Sequence, residues 1–147
     1  MGREHAKMFH SLRGEVLSRL VAIRASIDQA YANIPDDVVS EQFDTVLSKM
    51  ASYLETEDPG PYRGFVQRWG AMREGEGFGT ENVIHSLVAI GDVVRRVAQK
   101  RLDATAETAD FSRAITAACT VAARVLVDGL AAQLEQRSGQ LSDSRDR

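Results

Sequence analysis

The feature that most constrains the fold is a repeated apolar spacing of three and four residues, interrupted only at proline- and glycine-rich joints. Such spacing puts apolar side chains on one face of an α-helix, whereas a half-buried strand needs strict alternation. Phe9, Leu12, Val16, Leu20, Ile23, Ile27, Ala30 and Ile34 form a first stripe, predicting a helix from about Glu4 to Asn33 that Pro35 ends. Gly14 lies inside it as a possible kink. Asp36 and Asp37 suit the positive end of a second helix dipole, and Val39, Phe43, Val46, Leu47, Met50 and Leu54 form its stripe.

Asp58-Pro59-Gly60-Pro61 is the strongest break. A short third helix is predicted from Tyr62 to Arg73, with Tyr62, Phe65, Val66, Trp69 and Met72 on one face, so that Trp69 is buried. Gly75, Gly77 and Gly79 make a corner around Phe78, and Thr80 is the expected N-cap of the fourth helix. That helix runs to about Leu102 through Val83, Ile84, Leu87, Ile90, Val94 and Val97. Thr105 to Glu107 open a last helix reaching Gln136, with Phe111, Ile115, Ala118, Ala122, Val125, Leu126 and Leu134 on its face. The fold class is all-α: a helical bundle of five or six helices over residues 1–137, with 138–147 a polar, disordered tail.

The 147 residues suffice for one domain with a real core. The net charge of −3 gives no basic excess, so nucleic acid is not an expected partner. One cysteine, Cys119, cannot make an intrachain disulfide, and its alanine and valine neighbours predict a small buried residue in a reducing compartment. No uninterrupted apolar run approaches the length of a membrane span, so a cytoplasmic location and no membrane contact are expected. Met1-Gly2 begins like a myristoylation signal, but Ala6 stands where serine or threonine is needed.

Catalytic and metal chemistry find no support in the spacing. His5 and His10 are five apart, not the four that puts two ligands on one helix face. Gly75-Glu76-Gly77-Phe78-Gly79 follows no strand, and Glu74 and Glu76 would repel an anion. The chain is therefore not expected to be an enzyme, and neither metal nor cofactor is expected. The alternative is a haem- or other ligand-binding protein that uses His85 on the fourth helix.

Phe65-Val66-Gln67-Arg68-Trp69-Gly70-Ala71-Met72-Arg73, followed by Glu76-Gly77-Phe78 and Val83-Ile84-His85-Ser86-Leu87, resembles the N-terminal sensor domain of RsbR-type stressosome proteins. Similar domains precede bacterial histidine kinase modules. The resemblance implies a globin-like helical fold without haem, a homodimer, and signalling to a STAS or kinase output module. Arg68, Arg73 and Gly77 are the positions that match its pattern. Trp69, Arg73 and His85 are the candidate ligand-binding residues. The first and last helices are the candidate dimer interface, through Phe9, Val16, Leu20, Ile23 and Ile27 and the small-residue face of Ala118, Ala122 and Gly129.

Overall fold

The computed structural model describes residues 2–145, with side-chain environments through 140. Five helices follow in order: α1 (Gly2–Ile27), α2 (Asp36–Thr56), α3 (Pro59–Gly75), α4 (Thr80–Arg101) and α5 (Ala106–Arg145). A single 3-10 turn, Gln29–Tyr31, joins α1 to α2, and no strand occurs among the described residues. The chain is an all-α bundle.

Each helix buries most of the stripe that its spacing predicts, with Ile23, Met72 and Leu134 left exposed. α1 lies between α2 and α4, while α5 lies along α4 and α3. Leu12, Val16 and Leu20 of α1 meet a core that includes Val39, Leu47 and Met50 of α2, Ile90 and Val97 of α4, and Phe111 and Ile115 of α5. Non-directional burial of this kind is the main favourable term in folding. Arg13 adds a polar tie, its Nε donating to Asp44 Oδ1 at 2.6 Å across the α1–α2 contact.

Several boundaries differ from the sequence reading, each for a local reason. α1 ends at Ile27 rather than near Asn33 because the Asp28 carboxylate accepts from the Ala30 amide at 2.9 Å, capping the 3-10 turn instead. Arg24 braces this exit, donating to the carbonyls of Val21 and Tyr31 and pairing with Asp36 at 2.7 Å. Gly14 produces no break in α1. Gly79, not Thr80, is the N-cap of α4; the Thr80 hydroxyl turns back and donates to the Glu74 carboxylate.

α5 continues past Gln136 to Arg145, through the segment expected to be a disordered tail; Asp146 and Arg147 lie outside the described residues. It has 40 residues, about 60 Å of helix at 1.5 Å per residue. Phe111, Ile115, Ala118, Ala122 and Leu126 are buried, but residues 131–140 are exposed throughout. By length and composition α5 could cross a membrane, with mean hydropathy 1.6 over its most apolar 18 residues. The expectation of no such segment rested on unbroken apolar runs; the many alanines and valines here raise the mean although Arg124 and Asp128 interrupt the run.

Candidate functional site

The last turn of α3 brings an arginine into the interior. Arg73 is 3% exposed, and it and Ser86 are the buried polar or charged residues among those described. The turn ends in a glycine-terminated motif. Gly77 has φ +99°, its amide donates to the Glu74 carbonyl at 3.1 Å, and the Phe78 amide donates to the Arg73 carbonyl at 3.0 Å. These two bonds satisfy carbonyls that the helix end leaves free, and glycine adopts the required backbone without strain. Such motifs often pack the residue after the glycine against the last helical turn. Here the Phe78 ring lies 5.9 Å from the Arg73 guanidinium carbon. Arg73 and Gly77, two of the positions singled out by the resemblance, thus hold one corner together.

Burying a guanidinium requires partners. Arg73 Nη1 donates to Glu76 Oε2 at 2.7 Å. Arg73 and Ser86 also neighbour the Tyr31 side chain, whose ring lies tilted against those of Phe43 and Phe78, with centroids 5.3 and 4.9 Å away. Burial pushes the Tyr31 pKa up, and the neighbouring Ser86 and Arg73 only partly oppose this. One atom stays unserved: Arg73 Nε is buried with no hydrogen-bond partner among the described residues.

Arg73 borders a groove of about 270 Å³ between α2 and α3. Val38, Glu41, Gln42 and Thr45 form one wall, at steps of three, one and three residues along α2. Phe65, Trp69, Met72 and Arg73 form the other, at steps of four, three and one along α3. Both spacings are one helix face. Val38 and Met72 are 40% and 53% exposed, leaving apolar surface uncovered, while Trp69 is buried. Gln42 Oε1, like Arg73 Nε, is buried without a partner among the described residues.

A larger hollow of about 360 Å³ lies at the α2–α3 joint, with Lys49, Tyr53, Tyr62 and Arg68 among its walls. Arg68 is exposed there, and Asp58 is engaged in capping α3, accepting from the Gly60 amide at 3.0 Å. The hydroxyl of Tyr62 is unpartnered among the described residues, and its electrostatic neighbours include Cys119 on α5.

The structure thus unites Trp69 and Arg73 in one groove and leaves His85 out. His85 is exposed on α4 and does not line the groove. Met72, expected beside Trp69 in the core, faces outward, because the buried face of α3 follows Tyr62, Val66, Trp69 and Arg73.

The interface residues need a larger correction. Phe9, Val16, Leu20, Ile27, Ala118 and Ala122 are each at most 6% exposed inside a single chain. One stripe cannot be both the core of the protomer and a free surface. Ile23, at 40% exposed, and Gly129 are the ones that face outward. Sequence reading missed the α2 wall, because Val38, Gln42 and Thr45 sit beside the apolar stripe rather than on it. It also missed Tyr31, which lies in a 3-10 turn outside any 3.6-residue period. No protein-family model, curated protein or solved structure matches the chain.

Proposed function

We propose that this chain is a non-catalytic signalling module of the sensor type, working as a homodimer whose distal α5 helices pair. The observation that carries this reading is the uncovered apolar edge of the distal part of α5, where the helix runs past the end of α3. Val127 and Leu134 are 50% and 54% exposed, with half-buried Leu130 between them at steps of three and four residues. That is the spacing of a helix-pairing seam. Only 28% of the most apolar window of α5 is buried within the chain, which favours a partner for the remainder. The interface thereby moves from the inner stripes of the first and last helices to the exposed end of the last one.

The resemblance to RsbR-type sensor domains supports the same reading, with a STAS or kinase module as the output. A ligand that favours one arrangement of the dimer would tilt the paired helices and move whatever they contact. Such a shift requires different affinities for the two arrangements. A long helix is suited to this, because its hydrogen-bonded backbone carries a tilt along its whole length.

Light scattering on protein eluting from a sizing column, at micromolar concentration, tests the reading. Dimer mass is expected, falling to monomer mass in Val127→Glu/Leu134→Glu with the helical circular dichroism unchanged. A monomer mass at every concentration overturns the proposal, as does a dimer that survives the double substitution. Co-sedimentation of the monomer with anionic lipid vesicles would assign the same edge to a membrane instead.

A further inference from the structure

The hollow at the α2–α3 joint gathers two positive side chains, Lys49 of α2 and Arg68 of α3, that pair with no carboxylate among the described residues. We infer that this hollow binds a small phosphate monoester, its phosphate held between Lys49 and Arg68. The site stands apart from the α5 edge and does not depend on the dimer.

The two cations converge on one turn of α3. Arg68 folds back along its own helix: a β-carbon at position 64 would lie 3.3 Å from its Nη1, so the guanidinium rests over Gly64, itself part of the wall. Lys49 reaches across from α2, its ammonium 6.0 Å from the ring centroid of Phe65, the residue after Gly64. Arg13, Arg24 and Arg73 each have a carboxylate partner; these two have none among the described residues. Like charges brought to adjacent residues repel, and an anion between them removes that repulsion. Asp58, the one carboxylate on the walls, is engaged in the α3 cap, where it accepts from the Gly60 amide at 3.0 Å.

Shape selects phosphate over carboxylate. A carboxylate has two oxygens in one plane, which a single guanidinium fork satisfies. A phosphate monoester turns three oxygens outward and carries a charge of about −1.5 to −2 at pH 7, so it engages the Arg68 fork and the Lys49 ammonium together. Ser52 lies three residues beyond Lys49 on the same wall and supplies a further hydroxyl donor. The ester group has room, since a volume of about 360 Å³ is that of a small-molecule site. Half-buried Tyr53 offers it a ring, backed by Tyr62 in a parallel stack at 5.0 Å.

Phenyl phosphate is the probe. Titrated into the full chain at low salt, it should shift the Gly60 and Gly64 amide signals saturably in proton–nitrogen NMR spectra. The expected Kd is on the order of 1 mM, weakening as salt is added. Lys49→Gln and Arg68→Gln change exposed side chains and should each weaken binding about fivefold or more, with the melting point in place. Gly64→Ala tests the geometry itself. Its methyl displaces the guanidinium tip and should weaken binding several-fold, while the gain in helix propensity keeps the melting point from falling. Absence of saturable binding overturns the inference, as does undiminished binding to any of the three variants. Benzoate bound as tightly as phenyl phosphate overturns it too. The dimer is read by mass and the hollow by NMR, so either proposal can fail alone.

Discussion

Gly91 of α4 faces Cys119 of α5 so closely that a β-carbon at position 91 would lie 2.5 Å from the Cys119 sulfur. The absence of a side chain at 91 lets the two helices approach, and the thiol fills the space. Cys119 is half-buried, with its pKa raised by burial and only partly lowered by Arg95, consistent with a packing role.

Gly91→Ala should therefore destabilise the wild-type chain by about 1–2 kcal/mol, the usual cost of overpacking, less the gain in helix propensity. In a Cys119→Ala background the nearest remaining atom of that side chain is the β-carbon, 3.8 Å away, an ordinary contact. There the same substitution should stabilise by about 0.5–1 kcal/mol through propensity alone. Urea denaturation of the four proteins measures the coupling. Equal effects in both backgrounds would show that the sulfur does not set the helix spacing.

Two glycines in the α3–α4 corner should respond with opposite signs. Gly77 has φ +99° and open space around it, so Gly77→Ala should cost about 1–2 kcal/mol from backbone strain alone. Gly75 ends α3 in open space, so Gly75→Ala should stabilise by about 0.5–1 kcal/mol. Thermal melts of the two variants decide the matter, and a shift in the same direction for both would contradict the corner geometry.

The Tyr31 side chain of the 3-10 turn lies beside Arg73 of α3 and Ser86 of α4. Tyr31→Phe should cost about 1 kcal/mol, since it removes the polar group that neighbours a buried guanidinium. In an Arg73→Met background the cost should shrink by at least about 0.5 kcal/mol, because the two groups are neighbours. Additive losses in chemical denaturation would separate Tyr31 from the arginine.

Tyr62 makes the contrary case. Its hydroxyl is buried without a partner among the described residues, so Tyr62→Phe should be neutral or stabilise by up to about 1 kcal/mol. Burial also raises the pKa values of Tyr62 and Tyr31. A raised tyrosine pKa means the folded state holds its proton longer than the unfolded chain. The stability it contributes is whole below the ordinary value of 10.0 and is lost as pH climbs above it toward the folded value. Helical circular dichroism and tyrosinate absorbance should therefore change together in alkali. In Tyr62→Phe the decline should be shallower by about 1.4 kcal/mol per pH unit. Tyrosinate absorbance completing its rise before any helix is lost would refute the burial argument.

The sequence by itself determined the helices, their joints and most of the core. A three- and four-residue apolar spacing has one regular backbone that buries it, so Leu12, Leu47, Ile90 and Phe111 declared their burial without tertiary information. Proline, glycine and acidic residues act on their own backbone, which is why the breaks near Pro35, Asp58 and Gly77 were legible. Trp69 and Arg73 are singled out differently, by the resemblance of their helix and its glycine corner to a sensor-domain pattern.

Only the tertiary structure decided where surplus faces meet. An apolar stripe states that a residue will be covered, not by whom; Phe9, Val16 and Ala118 proved to be covered within their own chain. The groove joins Gln42 to Arg73 across 31 positions of sequence, and no local pattern encodes that meeting. The unpartnered atoms exist only once both helices are in place, because a hydrogen bond left unmade is a property of an enclosed space. The chain alone carries propensity and period; packing alone converts them into a site.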